Sequence, residues 1–154
     1  TKQRAMAVHC DFRRATVLVQ VNVGYVDVFC NWLNHYAALQ LANPVVALVY
    51  DQPGQGGMGA LRVVQNALGD EHVLRSQQQV GSLRKRTFTF NSPDFNKIAF
   101  EKVQLMQDVL EATRQPVIFT DIDTAWLKDP IPLIGGRDGA LSGGVALLPE
   151  SVHA

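Results

Sequence analysis

Two short runs of almost unbroken aliphatic residues constrain this chain more than any other feature. Residues 16–21 read Thr-Val-Leu-Val-Gln-Val, and residues 45–50 read Val-Val-Ala-Leu-Val-Tyr. A strand open to water on one side alternates apolar and polar side chains. A run that is β-branched and apolar nearly throughout belongs to a strand covered on both faces. Between the two runs, Phe29, Trp32, Leu33, Tyr36 and Ala37 recur at the spacing of one helix face. The succession predicts a βαβ unit. Its helix spans 26–41 and stops before Asn43-Pro44, because the residue preceding proline avoids the α region.

The same alternation continues. A glycine-rich loop over 51–59 leads into a short helix over 60–68, with Gly69 as its stop signal. Residues 72–76 read as a weak third strand, and 77–90 show no sustained period, so they read as loop. Ser92 and Pro93 supply an N-cap and a first-turn proline. Ile98, Val103, Met106, Val109 and Leu110 then mark one face of a helix ending near Thr113. Residues 116–120 form a fourth strand. Strands alternating with helices at these lengths predict an α/β fold, a Rossmann-like, mostly parallel sheet with helices on both faces.

Residues 1–15, mixed basic and polar, are expected to be an N-terminal extension without the apolar stretch of a signal peptide. Residues 16–154 are then one domain. The 154-residue chain, 47% hydrophobic, is large enough to bury a core without disulfides or structural metals. Its 14 basic residues balance its 14 acidic ones, so no global field draws nucleic acid or an anionic membrane to it. Cys10 and Cys30 match no zinc or thioredoxin spacing. Cys30 falls in the helical apolar pattern and reads as a small buried thiol.

Ligands of parallel α/β sheets sit beyond the carboxyl ends of the strands. The positions to weigh are therefore 22–25, 51–59 and 121–124. Asp121-Ile122-Asp123 is the sharpest of these. The two aspartates follow a hydrophobic strand, and period-two geometry puts both carboxylates on the same side of the chain. Their repulsion is relieved by a cation or by hydrogen-bond donors. A hard divalent ion whose shell is completed by phosphate oxygens does this, and can also neutralise a departing diphosphate. A solvated turn is the plainer alternative.

Three rival signals are weaker. Residues 117–124 also fit the first motif of the haloacid-dehalogenase phosphatases, but that chemistry needs further lysine and acidic motifs downstream. Gly54-x-Gly56-x-x-Gly59 has the form of a dinucleotide fingerprint, yet Asp51, Gln52 and Pro53 separate it from the strand and no acidic residue follows at the required distance. Arg84-Lys85-Arg86 reads as a solvated loop.

Several blocks together resemble the nucleotide-diphospho-sugar transferase family, which includes plant cell-wall arabinosyl- and xylosyltransferases. They are Phe95-Asn96-Lys97, then Lys102, then the stretch from Pro116 through Asp121-Ile122-Asp123, Trp126-Leu127 and Asp129-Pro130. Asn22-x-Gly24-Tyr25, Asn31-Trp32-Leu33, and Val46-Ala47-Leu48 with Asp51 extend the resemblance toward the N-terminus, so that it covers residues 17–133. It is most specific from the Asp-x-Asp to the Asp-Pro.

The resemblance implies a GT-A-type fold, a nucleotide-sugar donor usually linked to UDP, a glycan or glycoprotein acceptor, and a divalent cation, Mn2+ or Mg2+. It implies Asp123 as principal metal ligand and Asp121 in the metal shell and against the ribose or sugar. Asn22, Gly24 and Tyr25 would lie near the base, Asp51 near the nucleoside, and Lys102 near the diphosphate or beside Asp121. Trp126 and Trp32 read as core. No catalytic base is assigned. The family also suggests the Golgi lumen. Its catalytic domains continue beyond the Asp-Pro, so a partial domain is expected, with residues 142–149 echoing a later strand and His153 at best a remote third ligand. The alternative is an inactive domain serving as a structural subunit, with protein partners.

Overall fold

The computed structural model describes residues 11–50, 59–76 and 92–134. Four strands, β1 (Thr16–Asn22), β2 (Val45–Tyr50), β3 (Val73–Arg75) and β4 (Val117–Phe119), form one sheet in the order β3-β2-β1-β4. Every pairing is parallel. The α/β architecture expected from the sequence is the one observed.

β1 is central, and its register shows why. Val17 pairs with Val45 on one side and with Ile118 on the other. Its odd-numbered residues, with Val45, Ala47 and Val49, face a core built from Phe29, Trp32 and Tyr36 of α1 (Val26–Ala38) and Ala60 and Val64 of α2 (Ala60–Leu68). Its even-numbered Leu18, with Leu48 and Tyr50, faces Leu105 of α3 (Pro93–Thr113). The strand is thus covered on both faces, as its composition requires. Each such side chain removed from water stabilises the fold by about 1.5–3 kcal/mol.

Helix α1 ends earlier than the sequence suggests. It stops at Ala38, where Leu39 N donates to Tyr36 O and Gln40 N to Ala37 O, both at 3.1 Å. Gln40 then adopts φ 52°. The chain is therefore turned by a left-handed glutamine (a conformation more often given to glycine), and Pro44 follows only after the turn is complete. Leu41 is thereby returned to the core.

Helix α3 begins as expected, with Ser92 Oγ accepting from Phe95 N at 3.2 Å and Pro93 in the first turn. Its inward face differs from the expected one. Leu105 is buried and Ile98, Met106 and Val109 pack beside it, whereas Val103 and Leu110 are exposed. At roughly 100° per residue, Val103 and Leu110 fall more than ~100° around the helix from Ile98, and the sheet lies under the narrower arc. At its C-terminus, Arg114 takes the left-handed cap at φ 55°.

Residues 11–15, expected to belong to an N-terminal extension, are tied into the fold. Phe12–Arg14 form a short 3-10 turn, and Ala15 is buried. The buried Asn43 side chain donates to Phe12 O at 3.0 Å and to Ala15 O at 2.9 Å, and the Tyr36 hydroxyl donates to Asn43 O at 2.8 Å. Cys30 is a free, half-buried thiol packed against the core. Among the described residues no helix is long and apolar enough to cross a membrane.

Candidate functional site

The strand order fixes where a ligand can enter. From β1 the chain steps outward to β2 and β3, then returns to place β4 on the far side of β1. The crossover connections diverge at the carboxyl edge between β1 and β4, the position at which open α/β sheets bind their ligands. β1 ends there with Asn22, and β4 runs there into Thr120 and Asp121.

β4 stops at Phe119, although Thr120 N still donates to Leu18 O at 3.0 Å. The chain then closes a turn. Asp121 O accepts from Thr124 N at 3.2 Å and from Thr124 Oγ1 at 2.6 Å, and Thr120 Oγ1 and Thr124 Oγ1 stand 3.1 Å apart. The two aspartates therefore do not continue the strand, and strand alternation does not govern their side chains. Two threonine hydroxyls on one carbonyl fold Asp121–Asp123 into a turn instead.

Both faces of the sheet brace that turn. Ile122 and Trp126 pack against the α1 side of the core, with Trp126 and Tyr36 ring centroids 5.6 Å apart. Tyr36 stacks in turn on Trp32 at 5.1 Å. On the opposite face, Lys102 Nζ of α3 lies 3.6 Å from Asp121 Oδ1 and 3.8 Å from the centre of the Phe119 ring. Trp32 is thus buried in the core, and Trp126 packs half-buried against it.

The other expected contacts are met unevenly. Lys102 and Asp121 are brought together. Asn22 sits at the same edge of the sheet, but its Oδ1 accepts from Gly24 N at 2.9 Å and caps the 3-10 turn Val23–Tyr25 that leads into α1. Gly24 and Tyr25 are half-buried within that turn. Asp51, residues 54–56, Arg84-Lys85-Arg86, residues 142–149, Cys10 and His153 lie outside the described residues.

Asp121 and Asp123 are exposed. Among the described residues no group of three or more His, Cys, Asp or Glu side chains converges as a metal site. The donor chemistry still suits a hard divalent cation of the kind held by one or two carboxylates with substrate phosphate and water completing its shell. It does not suit a cage made of protein alone.

A second polar group at this edge was not anticipated. Gln20 Nε2 donates to the Tyr50 hydroxyl at 2.9 Å and to Ile98 O at 3.2 Å. Ser76 Oγ lies 2.7 and 2.9 Å from the two carboxylate oxygens of Glu101. Burial, and then the charge of Glu101, push the Tyr50 phenol far above its ordinary range. The available signal was Gln20, a single amide inside an otherwise aliphatic strand.

With this geometry in place, the comparison with known families is decisive. The model of the nucleotide-diphospho-sugar transferases matches residues 61–144, more than half of the 154-residue chain. The chain belongs to that family. The matched stretch holds β3, α3, β4 and the Asp121–Asp123 turn, while Asn22, Gly24, Tyr25 and Asp51 precede it. No curated protein and no solved structure matches the chain.

Proposed function

We propose that this domain binds the diphosphate of a nucleotide sugar, with UDP as the nucleotide, at the carboxyl edge between β1 and β4, in a metal-dependent glycosyl transfer to a glycan or glycoprotein. The observation that carries this reading is Lys102 set beside Asp121 at the topological switch point, within the stretch that matches the transferase family. Both residues lie at that sheet edge and within the matched stretch.

Asp121 and Asp123 are the groups that would hold the cation, Mn2+ or Mg2+. Bound there, such an ion supplies positive charge against a leaving diphosphate. Everything else falls to the chain itself. The threonine-closed turn presents two acidic side chains to solvent, where phosphate can approach them. Ile122 and Trp126 keep the turn seated, so little ordering entropy is lost on binding. Lys102 adds a fixed cation beside Asp121 and is placed to meet a phosphate oxygen as a point charge.

The test is calorimetric titration of the chain with UDP, with and without manganese. Metal-dependent binding supports the reading. Failure to bind UDP under either condition supports a structural subunit that retains the fold.

A further inference from the structure

One turn of α3 reaches the carboxyl ends of all four strands. Ile98 O accepts from Gln20 of β1, and the charge of Glu101 acts on Tyr50, the last residue of β2. Glu101 also holds Ser76, the residue after β3. The next side chain, Lys102, lies over Phe119 of β4 and beside Asp121. Apolar packing along α3 is non-directional. Hydrogen bonds to a carboxylate are directional and stronger than neutral ones.

Lys102 needs such support. Its side chain is long and loses much rotamer entropy when fixed. Its pairing with Asp121 joins side chains that are 33% and 65% exposed, and a pair of that kind contributes little. The ion pair cannot hold the lysine in place by itself. The backbone position of the helix turn must bring it over Phe119 and beside Asp121, and Glu101 is the charged anchor of that turn.

We propose that Glu101 is a positioning residue. Its carboxylate, held by the Ser76 hydroxyl, fixes the turn of α3 that delivers Lys102 to Asp121. The consequence for donor binding rests on the function proposed above; the positioning itself does not.

Proton NMR separates the two. A methylene chain ending over an aromatic face is shifted upfield by the ring current, so the Lys102 ε-protons should resonate upfield of those of Lys97, which pairs instead with Asp94 on the same helix. Glu101→Ala should return the Lys102 signal toward that of Lys97, and Glu101→Gln, which keeps an acceptor for Ser76, should largely preserve it. Ser76→Ala, a milder change, should move it part of the way even if Glu101→Ala fails to fold. UDP affinity in manganese should fall severalfold in step with the lost shift. A folded Glu101→Ala and a folded Ser76→Ala that both leave the Lys102 signal in place would overturn the proposal. Loss of the shift with unchanged UDP affinity would overturn its connection to the site. The expected shifts in a protein that binds no UDP would uphold the positioning and reject the donor site.

Discussion

Tyr36 and Trp126 meet with ring centroids 5.6 Å apart and planes inclined at 56°. Through this contact, helix α1 holds the segment that follows the Asp121–Asp123 turn. The pair joins α1 to the segment that follows β4.

Trp126→Ala removes that contact and the packing of the indole on the core. Complete loss of a buried aromatic costs about 3–5 kcal/mol, and a half-buried one about half as much. Denaturant unfolding should therefore show a loss of about 1–3 kcal/mol. Trp126→Phe should recover most of it. Equal stability of Trp126→Ala and wild type would mean that the indole does not brace the turn.

Asn43→Ala tests the link between residues 11–15 and the domain. The substitution takes the donor away from the buried Ala15 carbonyl. A buried acceptor left unsatisfied costs about 1–3 kcal/mol, and thermal unfolding of the variant should show a loss of that size. Asn43→Asp keeps the shape but replaces the donor with an acceptor, so it should do no better. A neutral Asn43→Ala would show that the N-terminal turn contributes nothing to stability.

Much of the fold was legible because its strands are aliphatic on both faces. Residues 16–21 and 45–50 can be little other than central parallel strands, and α3 announces its start with Ser92-Pro93. Legibility failed where tertiary packing chose among permitted local structures. The sheet selected Leu105 rather than Val103 for the inner face of α3, and Gln40 accepted a conformation that sequence assigns to glycine. At the site, the identity of the aspartates was readable but their geometry was not. Alternation holds only while the strand lasts, and hydroxyls from Thr120 and Thr124 end it at Asp121. The Gln20, Tyr50, Ser76 and Glu101 group was hidden because its members come from four elements whose neighbourhood depends on strand order.

Alkaline pH should weaken the domain. In the unfolded chain a tyrosine ionises near pH 10. In the fold, burial, and then the charge of Asp129, push the Tyr36 phenol up to about 12. The unfolded state therefore gives up its proton first. The stability contributed by neutral Tyr36 is complete below pH 10 and is lost as pH rises from 10 through 12. Tyr50, buried beside Glu101, acts in the same direction. Melting temperatures measured between pH 8 and 12 should fall above pH 10, and less steeply in Tyr36→Phe and Tyr50→Phe. Unchanged slopes in both variants would contradict this origin.

The central claim is that Asp121 and Asp123 bind a nucleotide diphosphate through a divalent cation. Asp123→Asn keeps the size of the side chain and removes one negative charge from an exposed turn, so it should leave the melting temperature nearly unchanged. Calorimetric titration with UDP in manganese, repeated in chelator, is the direct measurement. Wild type should bind UDP only in the presence of metal, and Asp123→Asn should lose the metal-dependent component. Equal UDP affinity of wild type and Asp123→Asn in manganese would contradict it.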